Sequence, residues 1–143
     1  MNDKRFVDTN ILVYAHDRSA GVKHERARNL VEQLWASGLG VLSTQVLQEL
    51  CINLRRKVRR PLSTEEVRQV VSDYSSWEVI TNTTESIIRA LDIEKRYQLS
   101  FWDALIIDAA ETAGAAILYS EDLGSGQRYR GVRLVNPLVD SRV

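Results

Sequence analysis

The sequence predicts a three-layer α/β fold with a central, mostly parallel sheet. Three observations point there. Short apolar runs alternate with amphipathic stretches of helical period. The run "AAILYS", from Ala115 to Ser120, is apolar almost without a break, as in a parallel strand covered on both faces. Strands that alternate with helices in this way pair in parallel and carry the helices on the faces of the sheet.

The elements follow in order. "RFVD", from Arg5 to Asp8, reads as a buried strand whose edge meets turn-forming residues. "VKHERARNLVEQLWAS" reads as a helix with Ala27, Leu30, Val31 and Leu34 on one face. "LGVLS" is a second short strand. Ser43 caps the next helix, "TQVLQELCINLRRKVR", in which Leu47, Leu50, Cys51, Leu54 and Val58 recur at helical spacing and which Pro61 helps to stop. "STEE", Ser63 to Glu66, is a capping box with Val67, Val70, Val71 and Tyr74 behind it. "WEVI" is a third strand, and a helix follows from about Thr84 to Arg96. Ser100 and Asp103 make a box-like start, S-x-x-D, for "ALIIDAAETAG", with Gly114 as the residue that ends it. "AAILYS" and "VRLVNP" supply the last two strands.

At 143 residues the chain suits one domain spanning 1–143, able to bury about two thirds of its unfolded surface. Apolar residues make up 44% and charged residues 27%, as in ordinary globular proteins. Lys plus Arg equals Asp plus Glu at 19 each, which argues against a generic cationic nucleic-acid binder. It leaves room for an enzyme that meets phosphates through metal ions. Cys51 is the only cysteine, so neither an intrachain disulfide nor a cysteine-based zinc site forms. The N-terminus lacks the features of a signal peptide, and Ile11 to Ala15 is far too short to span a bilayer. The expectation is a cytoplasmic protein with no membrane partner.

In parallel sheets, ligands bind at the carboxyl ends of the strands. Asp8 ends the first strand, and Ser120 and Asp122 follow "AAILYS". Glu49 lies on the helix that starts from the same edge. These polar groups are expected to share one rim. Converging carboxylates repel one another, and a divalent cation removes the conflict. Mg²⁺ and Mn²⁺ prefer hard oxygen ligands, and an all-acid site without histidine or cysteine points to phosphoryl chemistry on an anionic substrate.

These residues also carry a resemblance. "FVDTNILVYA", "QVLQEL", "SFWDALIIDAA" and "LYSEDLGSG" followed by "GVRLVNP" resemble, in order, the motifs of the PIN-domain nucleases, and in particular the small VapC-type toxins of toxin–antitoxin pairs. The likeness runs from Arg5 to Pro137. It implies an α/β/α PIN-like fold and a metal-activated water that cleaves RNA. It implies that Asp8, Glu49, Asp103 and Asp122 bind one or two Mg²⁺ or Mn²⁺ ions, with Asp8 and Asp103 the firmest ligands. Asn10 would brace the site, and Ser120 would hydrogen-bond a metal-bound water or a phosphate. A homodimer and an antitoxin whose tail blocks the site are implied as well. "EDLGSG" departs from the family's commoner basic and aromatic residues around Asp122.

Simpler roles stand beside these. Asp103 caps its own helix, Glu49 is a solvated helix residue, Asp122 is a turn residue and Thr9 is structural. Asp108 lies five residues after Asp103, rotated by about 140° around the helix, and reads as structural or as a residue that supports the ligands from behind. His16, His24 and Glu121 read as surface residues, and Trp35, Leu39 and Tyr14 as core. The basic run "RRKVRR" (Arg55, Arg56, Lys57, Arg59, Arg60) is either a solvated helix end or a contact for RNA or an acidic antitoxin segment. Rival functions are a housekeeping RNA-processing nuclease and an aspartyl-phosphate phosphatase. The phosphatase wants an aspartate where Asn10 stands and a lysine after Lys95, and has neither.

Overall fold

The computed structural model describes residues 3–139. Its strands are β1 (Arg5–Val7), β2 (Gly40–Ser43), β3 (Glu78–Ile80), β4 (Ile117–Tyr119), β5 (Arg128–Tyr129) and β6 (Val132–Val135). Its helices are α1 (Thr9–His16), α2 (Val22–Ser37), α3 (Thr44–Arg56), α4 (Thr64–Tyr74), α5 (Thr84–Tyr97) and α6 (Phe101–Thr112). The strands form one sheet in the order β3-β2-β1-β4-β6-β5. All pairs are parallel except β5 with β6. The mostly parallel α/β fold expected from the sequence is therefore present. In β1 the adjacent residues Phe6 and Val7 point to opposite faces, and both are fully buried. Both faces of the sheet are thus covered, which is the three-layer arrangement.

Most helix boundaries follow their local signals. Ser43 accepts a hydrogen bond from the Val46 amide at the start of α3. Ser63 and Glu66 form the full reciprocal box at α4. Ser100 Oγ accepts from the Asp103 amide at α6. Gly114 follows the cap of α6 at φ +73°, a conformation that other residues adopt only at a cost. Two of the helices differ from expectation. α3 ends at Arg56, three residues before Arg59, and buried Val58 pins the turn that follows. α1 was not expected. Its residues TNILVYAH are apolar on nearly every side, so no amphipathic period marks it.

The register sets the rim. Phe6 is level with Val41 on one side and Leu118 on the other. Two residues further along, Asp8, Ser43 and Ser120 leave the sheet at one edge. The Asp8 amide donates to Tyr119 O at 2.9 Å, and the Ser120 amide donates to Val135 O at 3.1 Å.

Two interactions away from that rim carry much of the packing. Asp108 on α6 is buried, and Arg89 of α5 grips it in a fork, with Nε to Oδ1 at 2.7 Å and Nη2 to Oδ2 at 3.2 Å. Its structural reading is borne out. Trp35, Tyr74 and Trp77 form an aromatic cluster with ring centroids 5.2–5.6 Å apart. Trp35 is not fully core, since 41% of its surface stays exposed. Trp77 lies flat over Gly40, where a Cβ would come within 2.4 Å of its ring. Gly40→Ala should therefore overpack the site and destabilise the fold by about 1–3 kcal/mol. Thermal unfolding measures this, and an unchanged Tm would show that the indole shifts at no cost.

Candidate active site

The site is assembled around Asp8. Its carboxylate caps α1, accepting from the Thr9 amide at 2.7 Å through Oδ1. The other oxygen, Oδ2, accepts from Ser120 Oγ at 2.9 Å. Only 7% of Asp8 is exposed. Its pKa is pushed up to about 6, chiefly because burial strips water from the charged form. The Thr9 and Ser120 hydrogen bonds oppose that rise, and the charges on Glu49 and Asp103 add to it. Of the four acids singled out in the sequence, Glu49 and Asp103 thus lie close enough to Asp8 for their charges to raise its pKa.

Each remaining acid has its own support. Glu49 Oε1 accepts from Thr9 Oγ1 at 2.6 Å, so Thr9 aims this carboxylate as well as starting α1. Asp103 sits in the first turn of α6. Gln45 Nε2 of α3 donates to the Trp102 carbonyl at 3.2 Å and so ties the start of α6 to the start of α3. Asp122 is exposed, and Asn10 Nδ2 donates to its Oδ2 at 2.8 Å. The Asp122 amide in turn donates to Ser120 Oγ at 3.3 Å. Asp8, Asn10, Ser120 and Asp122 are one hydrogen-bonded string.

The donor set suits a hard divalent ion. Every side chain in it offers oxygen. Asn10 Oδ1 is buried and has no hydrogen-bond partner, an orphaned acceptor beside the string. Among the described residues, no lysine or arginine bonds to Asp8. Among the described residues, no three His, Cys, Asp or Glu side chains are drawn tightly enough to hold an ion unaided. Any ion held here would depend on waters to complete its coordination.

The basic run lies elsewhere. Arg55 Nε turns back to Cys51 O at 3.1 Å within α3. Arg56 and Lys57 are exposed at the helix end. Arg59 and Arg60 line an open cleft of about 900 Å³ together with Arg18, Trp35, Leu62 and Tyr74. His16 lines it too, so the cleft is at the far end of α1 from Asp8, about 12 Å along the helix.

Comparison with known proteins agrees with this fold. The PIN domain family model matches residues 5–127. The chain belongs to the PIN-domain family. No curated protein sequence matches it. Among solved structures, this PIN domain is similar to VapC20 of Mycobacterium tuberculosis, described as a sarcin-ricin loop cleaving toxin. The TM-score is 0.65 at 22% identity, over 83% of this chain and 90% of that one. A toxin–antitoxin complex from Klebsiella pneumoniae gives 0.68 at 18% identity, over 94% and 98% of the two chains. DNA-bound VapBC from Salmonella typhimurium gives 0.62 at 21%, over 92% and 96%.

Several residues of this PIN domain depart from the surface role expected of them. His16 is half-buried, edge-on to Tyr74, with Nε2 2.8 Å from its hydroxyl, and desolvation lowers its pKa. His24 Nδ1 lies 2.8 Å from Tyr14 O. Glu121 is not free in solvent: Tyr14 Oη donates to its Oε1 at 2.7 Å and Lys23 Nζ to its Oε2 at 2.6 Å. These partners are 107 and 98 residues away in sequence, so no local spacing announces them.

The Asp8 shift has a stability consequence. In the unfolded chain the group titrates near 3.8, and in the fold near 6. Between those values the folded state holds the proton more firmly. Stability from this group is complete below pH 4 and falls as pH rises toward 6. By linkage the loss approaches roughly 3 kcal/mol at pH 7 in metal-free protein. Asp8→Asn retains the cap and lacks the charge. Its Tm in metal-free buffer should rise relative to wild type as pH goes from 4.5 to 7. A difference that is flat across that range would sink the claim.

Proposed function

We propose that this PIN domain is a divalent-metal-dependent endoribonuclease and the toxin member of a type II toxin–antitoxin pair. The observation that carries the reading is the environment of Asp8. It is a buried carboxylate raised toward neutrality, within electrostatic reach of two further acids, and among the described residues its bound donors are an amide and a hydroxyl. Such a group is costly to ionise unless a cation joins it. Asp8, Glu49 and Asp103 would hold Mg²⁺ or Mn²⁺, with Asp122 joining directly or through a water. When bound, the ion supplies a water of lowered pKa and neutralises charge on the scissile phosphodiester.

The chain's own residues do the positioning. Ser120 and the Thr9 amide hold one carboxylate oxygen each of Asp8 and so fix its orientation. Thr9 Oγ1 fixes the rotamer of Glu49. Asn10 fixes Asp122. We assign the Arg18, Arg59 and Arg60 cleft to the phosphate backbone of RNA beyond the cut, or to acidic residues of the antitoxin. The other cations of the run, Arg55, Arg56 and Lys57, stand beside it as weaker contacts.

The likeness to toxins and to toxin–antitoxin complexes supports the toxin and antitoxin parts, and the sarcin-ricin loop cleaving toxin supports RNA as substrate class. A homodimer belongs to the same proposal, and exposed Ile87, Ile88 and Leu91 of α5 offer a second copy an apolar face. Among the described residues no helix is long and apolar enough to cross a membrane, in keeping with a cytoplasmic site of action.

The test is RNA cleavage by purified protein on a panel of cellular RNAs. We expect cleavage with Mg²⁺ or Mn²⁺, none with EDTA, and a loss of at least about a hundredfold in Asp8→Asn, since a ligand and its ion are removed together. Cleavage that persists in EDTA or in Asp8→Asn would overturn the reading. Growth arrest on expression, relieved by a small protein encoded beside the gene, tests the toxin role separately.

A further inference from the structure

The short segment Ser120–Glu121–Asp122 is gripped from one helix at three points. α1 presents Asp8 at its cap, then Asn10, then Tyr14 one turn later on the same face. Asp8 takes the hydroxyl of Ser120, Asn10 takes the carboxylate of Asp122, and Tyr14 takes the carboxylate of Glu121. Two of those three grips hold residues already placed at the site. The third holds the residue between them. Lys23 of α2 closes it, reaching Glu121 Oε2 at 2.6 Å while its ammonium stands 5.0 Å above the centre of the Tyr14 ring. Glu121 is therefore locked by a phenol and an ammonium that also hold each other.

We infer that Tyr14 and Lys23 are positioning residues that set the affinity of the acidic rim for its divalent ion by locking Glu121 between Ser120 and Asp122. This rests on the metal-dependent reading given above. The chain offers no regular element here to do the job. β4 ends at Tyr119, and residues 120–127 run as bends and turns until β5. Without the Glu121 lock, the segment carrying Asp122 loses its tie to α2, and Ser120 is freer to leave Asp8. Outer partners of this kind commonly change metal affinity by about ten- to a hundredfold when removed.

Charge gives the inference a sign that a simple electrostatic role does not share. Lys23 is a cation near a cation site, so removing it should tighten ion binding if only its field mattered. If it positions Glu121, removing it should weaken binding. Its ion pair is a surface one, with 48% of the Lys23 side chain exposed, and such pairs contribute little to folding stability.

Calorimetric titration of Mn²⁺ into the metal-free protein reads this directly, without reliance on activity. We expect Lys23→Met to bind Mn²⁺ about tenfold more weakly than wild type and Tyr14→Phe several-fold more weakly. Lys23→Arg should restore affinity, because it keeps the charge and the donors. The metal-free Tm of all three should stay close to wild type, which separates positioning from misfolding. Unchanged or tighter Mn²⁺ binding in Lys23→Met, or no recovery in Lys23→Arg, would overturn the inference while the nuclease reading stands. Failure of the wild type to bind Mn²⁺ would remove both.

Discussion

One carboxylate at one junction governs the rest of this structure. Asp8 is where β1 stops and α1 starts, and it serves both elements. Its amide extends the sheet by bonding to Tyr119 O, and its side chain begins the helix by accepting from Thr9. Because it caps α1, it directs that helix so that Asn10 and Tyr14 reach across to the segment after β4. Because it lies level with Ser43 and Ser120, it meets the start of α3, which carries Glu49. Fold and site therefore share their hydrogen bonds. A substitution here acts on helix capping, on strand-end geometry and on the acid cluster together. That is why a capping-competent replacement such as asparagine is more informative than alanine.

Much of this was legible in the sequence, and the parts that were not have physical causes. Capping residues are local chemistry, and Ser43, Ser63 and Ser100 each start the helix that their spacing announces. The apolar run "AAILYS" gave a central parallel strand because burial on both faces leaves no alternation to mislead. Helical arithmetic also placed Asp108 away from Asp103. α1 escaped because it is buried nearly all round, so it has no stripe, and its cap is a one-residue bond without a box. β5 escaped because two residues carry no period at all, and only its antiparallel pairing with β6 defines it.

The candidate site was legible in its charges and illegible in its wiring. Four acids and an asparagine could be picked from short motifs, since motifs are local. The partners of those acids could not. Thr9 was set aside as structural, yet its hydroxyl aims Glu49 from 40 residues away. Glu121 was set aside as solvent-facing, yet two helices hold it. His16 had no ligand at useful spacing, and its partner Tyr74 is 58 residues on. Tertiary hydrogen bonds of this reach leave no signature in a single chain.

A comparison of two buried aspartates shows what marks the site. Asp108 is 1% exposed and Asp8 is 7% exposed, so burial alone does not distinguish them. Asp108 has a guanidinium bound to both oxygens, and its charge is met within the protein. Asp8 has an amide on one oxygen and a hydroxyl on the other, which orient a charge without neutralising it. Two more carboxylates then face it. A fold that wanted a satisfied buried acid had the means, and used them at Asp108. At the rim it leaves the acid oriented and unneutralised, with the unpartnered Asn10 oxygen beside it. The proposal of a divalent ion at Asp8 rests on that contrast, because an ion would meet a charge that the described residues leave unmet.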